Sequence, residues 1–183
     1  MRIVRWLAVI ALVLPAPAWA DDHRADMNGG ISGGKASKLF GIHVTLAMPI
    51  PDQEKWSVLA DISHHWDLND DLDEKRAVYL SGLRYTHPIS EGSNHKVFGH
   101  GLLGSGHTTL NGSSDADLTV AFGGGWEYIW NRTDAQSKAL NLPRKKYVSG
   151  VRGQLDYVIA QGDTKNFVRF TVGYVFRFNH PTQ

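Results

Sequence analysis

The stretch NFVRFTVGYVFRF, residues 166–178, alternates strictly between two kinds of position. Large apolar side chains occupy every second position from Val168 to Phe178, and the positions between them include Arg169 and Arg177. Successive side chains of a β-strand point to opposite faces, so this period predicts a strand with one apolar face and one face that carries arginines. The question is whether the apolar face packs on a protein core or meets lipid.

The same alternation recurs along the chain and predicts eight strands. They are residues 25–34, 39–49, 56–66, 76–86, 96–107, 117–130, 147–160 and 166–178. Strands of soluble proteins are most often about 5–6 residues long, whereas tilted membrane strands need about 9–11, and most of the predicted strands are closer to the membrane length. Glycines fall on both faces of the fifth strand, so the sequence leaves its outward face open.

Composition excludes several classes of function. The 183-residue chain is nearly neutral, with 19 Lys+Arg against 18 Asp+Glu, which gives no reason to expect nucleic acid as a partner. The absence of cysteine excludes disulfides, thiolate metal sites and a cysteine nucleophile. No apolar run after residue 20 is long enough for a membrane helix, but barrel strands give only a weak hydropathy signal.

The N-terminus has the order of a secretory signal peptide. Arg2 and Arg5 precede an apolar run at residues 6–14, and the small-residue site AWA follows at residues 18–20. The apolar run is about half of the roughly 20 residues that a membrane-spanning helix requires. We expect cleavage after residue 20, which leaves residues 21–183 as the barrel domain.

Several features together favour a membrane barrel. An even number of antiparallel strands with alternating faces fits a closed sheet, which leaves no unpaired edge in lipid. Tryptophan and tyrosine recur near strand ends, where interfacial belts of membrane proteins lie; these residues are Trp56, Trp66, Tyr85, Tyr128, Trp130, Tyr147 and Tyr157. The sequence therefore predicts an all-β, eight-stranded antiparallel up-and-down transmembrane β-barrel. A secreted or periplasmic soluble barrel or sandwich is the alternative.

The segments VAFGGGWEY (120–128), VSGVRGQLDYVIAQ (148–161) and VRFTVGYVFRF (168–178) resemble the C-terminal half of small bacterial outer-membrane barrels. These are the OmpA- and OmpX-like eight-stranded barrels of the outer membrane protein beta-barrel domain family. YLSGLRYTHP and VFGHGLLGSGH resemble their middle strands, and the resemblance spans residues 25–178. This resemblance is specific for the barrel architecture and says little about an activity. It implies a monomer in the bacterial outer membrane, with outer-membrane lipids and, during insertion, the barrel-assembly machinery as partners.

The resemblance also implies an assembly signal and a topology. The family usually ends on an aromatic residue, so Phe178 is the expected assembly signal and the NHPTQ that follows is a short periplasmic tail. The connector 131–146 is longer than the tight periplasmic turn usual at this point, which leaves its side of the membrane open. If both termini are periplasmic, the extracellular connectors are those around 35–38, 67–75, 108–116 and 161–165.

The inward positions carry charges of both signs. They are Asp61, Arg84, Glu127, Arg152, Asp156, Arg169 and Arg177. Side chains fill the interior of an eight-stranded barrel, and unpaired charges there would cost several kcal/mol each. We expect the pairs Asp61–Arg84, Glu127–Arg152 and Asp156–Arg169. The predicted role is structural or surface-related (membrane integrity, adhesion or stress defence) with a lumen plugged by these charges; a narrow-pore porin is the alternative.

A lipid A-modifying enzyme is the second alternative. The lipid A deacylase type of barrel carries a His-x-Ser pair on its outside, where the base reaches the hydroxyl. This sequence has no His-x-Ser, and Ser63 and His65 share the face that we expect to point inward. Adjacent histidines such as His64 and His65 diverge on a strand, so neither a metal site nor a cofactor is predicted. The glycines of FGGGW at 122–126 are interpreted as a tight bend or as close packing of bulky lumenal neighbours.

Overall fold

The computed structural model describes residues 25–34, 39–67, 75–110, 113–130, 147–161 and 166–178. Within these ranges the strands are β1 (Ala25–Gly34), β2 (Leu39–Ile50), β3 (Gln53–Asp67), β4 (Lys75–Pro88), β5 (His95–Leu110), β6 (Ser113–Ile129), β7 (Tyr147–Ala160) and β8 (Phe167–Phe178). No helix in the described part of the chain is long and apolar enough to cross a membrane. The expected signal peptide, the 131–146 connector and the tail after Phe178 lie outside the described residues.

The sheet closes on itself. Each strand pairs antiparallel with the next one in sequence, and β1 also pairs with β8. This last ladder sets Ala25 opposite Phe178 and Gly34 opposite Arg169. A closed sheet leaves no row of unpaired backbone groups. The prediction of an all-β antiparallel fold is confirmed.

Several strands extend further than the alternation predicts. The ladder between β5 and β6 continues to Leu110 opposite Ser113, so most of the expected connector 108–116 is strand. Ladder bonds join backbone groups, and the polar side chains of this hairpin therefore do not end it. β3 likewise begins at Gln53, directly after a tight turn in which Asp52 has a φ of 60°. Aspartate is one of the few residues that tolerate this left-handed conformation.

The two faces of the sheet have opposite chemistry. Large apolar side chains on the outside are exposed, and they occur on every strand. They are Ile31, Phe40, Ile42, Val44, Trp56, Ile62, Trp66, Tyr79, Leu83, Tyr85, Val97, Leu103, Leu118, Phe122, Trp126, Leu155, Tyr157, Val168, Phe170, Val172, Tyr174 and Phe176. On β5, Phe98 and Leu102 point inward, which resolves the face that the sequence left open.

Inward glycines allow close approach of neighbouring strands. A Cβ atom on Gly123 would collide with the backbone oxygen of Leu155 and with Oδ1 of Asp156. A Cβ atom on the outward-facing Gly101 would meet no atom within 4 Å. The interpretation of FGGGW as a site of close lumenal packing is confirmed at Gly123.

Apolar side chains fill part of the lumen. Ile129, Val148 and Val175 form a buried cluster at the end of the barrel where β6 finishes and β7 begins. A larger cluster lines the lumen wall and consists of Ala47, Leu59, Val78, Leu80, Leu102, Ala121, Val158 and Phe167. The charged residues are packed among these side chains.

Candidate functional site in the barrel lumen

Arg169 is the centre of a buried ion cluster in the lumen. Its side chain is fully buried and donates to Asp61 through NH1 at 2.9 Å and NH2 at 3.1 Å. It also donates to Oδ2 of Asp156 through Nε at 2.8 Å. NH1 makes a further bond to Ser63 Oγ at 3.0 Å. One guanidinium from β8 therefore joins a carboxylate of β3 to a carboxylate of β7 across the barrel.

Histidines complete both ends of this Arg169 cluster. His43 Nε2 lies 2.6 Å from Oδ2 of Asp61, and both side chains are buried. His100 Nε2 lies 2.9 Å from Oδ1 of Asp156, while Gln154 donates to Oδ2 of Asp156 at 2.8 Å. Each carboxylate thus has several partners, which offsets the large desolvation cost of burying it.

A second set, the Glu127 cluster, lies closer to the end where β6 finishes. Arg152 NH2 donates to Oε2 of Glu127 at 2.7 Å, and Arg177 NH2 donates to Oε1 at 3.1 Å. Glu127 and Arg152 are buried, whereas the Arg177 side chain is 12% exposed. One carboxylate therefore holds two guanidinium groups, one fully buried and one at the margin.

Aromatic rings pack against the lumenal arginines. The guanidinium carbon of Arg152 lies 5.0 Å from the ring centre of Phe98, and that of Arg84 lies 5.8 Å from it. Arg76 packs in the same way on Phe167, at 5.2 Å. Such cation–π contacts stabilise a desolvated cation by about 2 kcal/mol or more, and they let arginine stems and rings fill space together.

The expected pairs Glu127–Arg152 and Asp156–Arg169 are present, and the expected pair Asp61–Arg84 is corrected. The β3–β4 ladder sets Arg84 opposite Ser57 and Asp61 opposite Leu80. The two charged residues are thus offset by about 13 Å along the strands, at about 3.3 Å per residue. Asp61 bonds to Arg169 and His43 instead, because side chains reach across a narrow lumen as well as along one hairpin.

Two histidines that belong to the site are not among the inward residues named from the sequence. His43 and His100 point inward and lie against the carboxylates of the Arg169 cluster. Alternation contained the signal, since His43 shares its face with the inward Thr45 and lies opposite Ser63. Arg76 also points inward and is 4% exposed; it shares its strand face with Arg84, so alternation contains this signal as well.

Among the described residues, the lumen leaves little room for a solute. One gap, bordered by Thr45, Asp61, Arg84, Arg152 and Gln154 among others, does not hold even a water-sized sphere. Ser63 and His65 both point inward and are buried, and Ser63 accepts a bond from Arg169. A lipid outside the barrel therefore cannot reach this serine. No group of three histidine or carboxylate side chains within the described ranges is arranged to hold a metal ion.

Comparison with known proteins shows the fold of this chain and does not show its function. No protein-family model matches the chain, and no curated protein matches it. Among solved structures, Neisserial surface protein A (NspA) is similar over 87% of this chain and 96% of that one, with a TM-score of 0.53 and 12% identity. Ail, the attachment invasion locus protein of Yersinia pestis, gives a TM-score of 0.48 at 16% identity, with 86% of this chain and 99% of that one covered. The N-terminal barrel domain of Pseudomonas aeruginosa OprF gives 0.47 at 12%, with 85% and 97% covered.

Proposed function

We propose that this chain is an eight-stranded transmembrane barrel of the bacterial outer membrane, with a structural or surface role and a lumen closed by its charge clusters. One observation carries the proposal: every strand exposes large apolar side chains on the outside of the barrel, while the charged clusters are buried inside. A soluble barrel would present the reverse, because contiguous apolar surface of this extent is unfavourable in water. In lipid the same surface is the favourable one.

The spacing of the aromatic residues supports this proposal. Trp56 and Trp66 are exposed on the same face of β3. The ten steps from position 56 to position 66, at about 3.3 Å each and a tilt of about 40°, span about 25 Å of barrel axis, the usual height of the apolar band. Trp56 packs on Tyr85 at 5.1 Å, and Trp130 packs on Tyr174 at 5.2 Å, at the same end of the barrel.

A closed lumen favours a structural or surface role over transport. The Arg169 and Glu127 clusters and the Ile129, Val148 and Val175 side chains occupy successive levels of the interior. Opening a path would separate buried ion pairs, and an uncompensated buried charge costs about 3–5 kcal/mol. The role that we propose is membrane integrity, adhesion or stress defence at the cell surface.

The test is gel mobility of protein extracted from the outer-membrane fraction, with and without boiling. We expect the unboiled protein to migrate as a compact band that shifts on heating, because the closed barrel resists detergent. A variant that lacks β8 is the control, since its sheet cannot close. A chain found in the soluble fraction, with no heat-dependent shift, would overturn the proposal.

Planar bilayers test the plugged lumen separately. We expect no sustained unitary conductance from the purified, heat-shifting protein. Steady channels would favour the narrow-pore alternative while leaving the barrel itself intact. Mass spectrometry of lipid A from cells with and without the protein should show no difference; a changed acylation pattern would favour the enzyme alternative.

A further inference from the structure

The outer face of the barrel is not uniformly apolar. On β3, β4 and β5, near the rim where β3 ends and β4 begins, polar side chains surround Ala77. They are His64, Lys75, Tyr79, Ser105 and His107, and we call them the outer histidine patch. The outward side chains on the opposite side are apolar, and include Ile31, Ile42, Val44, Phe170 and Val172.

Register and ring contacts give the patch its geometry. Ala77 pairs with His64 on one side and with His107 on the other. The two histidines are therefore two strand spacings apart, about 9.6 Å, with only a methyl group between them. His64 packs edge-on against Trp66 at 4.7 Å, and His107 packs against Tyr79 at 5.9 Å. Ser105 Oγ lies 3.2 Å from Nε2 of His107.

Burying such groups against acyl chains is unfavourable, so ionisable side chains on a membrane-facing surface mark a candidate functional site. The patch begins beside Trp66, at the level where interfacial aromatics meet lipid headgroups. Each of its groups can donate a hydrogen bond: an ammonium, two imidazoles and two hydroxyls. β4 and β5 contain no acidic residue, so within these two strands the fixed charge of the patch is the ammonium of Lys75, which favours an anion.

We propose that the outer histidine patch binds the phosphate group of a membrane lipid, which lies over Ala77 between His64 and His107 with Lys75 at the rim. This inference rests on the proposed function, because it requires that the exposed face meet lipid. A phosphate offers several acceptor oxygens to the donors that these three strands place around Ala77, and charge-assisted bonds of this kind are the strong ones. The lipid is thereby held on one side of the barrel.

The test is native mass spectrometry of the folded protein in detergent, titrated with phosphatidic acid or with the diacylglycerol that has the same acyl chains. We expect binding of phosphatidic acid in clear preference to diacylglycerol. The variant His64→Ala/His107→Ala should lose about tenfold in affinity, the effect of removing bonds to a charged group. His87→Ala/His95→Ala is the matched control: these outward histidines also pack on aromatic rings, at the other end of the barrel, and binding should be unchanged.

Additional controls in this experiment separate the possible explanations of the result. The connector 68–74 is acidic in sequence, so the titration contains EDTA to remove binding through a bridging divalent cation. Equal affinity in all three proteins, or equal binding of diacylglycerol, overturns the site. Displacement by inorganic phosphate at the lipid's own concentration overturns the lipid as the ligand, and a dimer lost only in the His64/His107 variant would assign the patch to a second copy. A heat-dependent gel shift in every variant shows that the barrel is intact, so failure of the site is separate from failure of the proposed function.

Discussion

Arg169 on β8 donates two hydrogen bonds to Asp61 on β3 from across the lumen, although 108 positions separate the two residues in the sequence. The same guanidinium also bonds to Asp156 on the neighbouring strand. This single side chain compensates two buried carboxylates, so the closed arrangement of the strands and the chemistry of the lumen depend on each other.

Replacement of Arg169 by alanine should be the most damaging single change in the lumen. It leaves Asp61 and Asp156 without their shared cation, and we expect a loss of about 3–5 kcal/mol in the free energy of unfolding. The control is Arg177→Ala, which removes a partly exposed cation from a carboxylate that Arg152 still holds. Denaturant unfolding in lipid vesicles, followed by tryptophan fluorescence, measures both. Equal losses would contradict the central role of Arg169.

Glu127 and Arg152 should behave as a coupled pair. Removing either one takes the nearest charged partner from the other, although Arg177 still bonds to Glu127, so the double variant Glu127→Ala/Arg152→Ala should lose less than the sum of the two single variants. For a close buried pair, we expect a coupling energy of about 1–3 kcal/mol. The measurement is a double-mutant cycle in the same unfolding assay. Additive losses would mean that the 2.7 Å contact contributes little.

Local sequence predicts much of this fold, because each strand carries its own period. The faces of β3, β6, β7 and β8 follow directly from alternation, and the closing strand β8 pairs with β1 as its position in the chain suggests. Polar ends of hairpins are not predictable in this way. Ser113 belongs to a strand through its backbone, and its side chain gives no sign of it.

The lumen is less predictable than the strands. Pairs that lie across one hairpin, such as Glu127 with Arg152, follow from register. The partner of Asp61 does not, because cross-lumen contacts depend on the shear and tilt that fix which inward residues share a level. Alternation predicts that the side chain of His43 points inward. Its bond to Asp61 cannot be predicted from alternation, because it forms only when the barrel closes.

Substitution of the inward Gly123 tests whether close packing of the neighbouring strands requires a glycine at this position. A methyl group at this position meets the backbone of Leu155 and the carboxylate of Asp156, so Gly123→Ala should lose about 1–3 kcal/mol through overpacking. Gly101→Ala adds the same methyl group in open space on the outside and should change stability by less than about 0.5 kcal/mol. Unfolding curves of the two variants decide the matter; similar values would refute the close-packing role of Gly123.

The apolar exterior predicts a depth-dependent response to charge. Val172 lies at the middle of β8 and Val168 near its start, and both are exposed on the same face. If this face meets lipid, Val172→Arg should cost about 2–4 kcal/mol and Val168→Arg about 0–1. Reversible folding into vesicles gives both values. A soluble barrel would tolerate either arginine equally well, so equal small effects would contradict the membrane location.

Phe178 should matter for assembly in cells more than for stability. It ends β8 opposite Ala25, and the proposed role as assembly signal predicts that Phe178→Ala lowers the amount of heat-shifting protein in the outer-membrane fraction several-fold. Phe176→Ala is the control, since this ring lies on the exposed face and packs on Tyr174 at 4.5 Å. Spontaneous folding of both variants into vesicles, without the assembly machinery, should match the unaltered protein. A Phe178 variant that reaches the membrane normally, or that fails equally in vesicles, would remove the signal role, because recognition by the machinery is the one step that the two assays do not share.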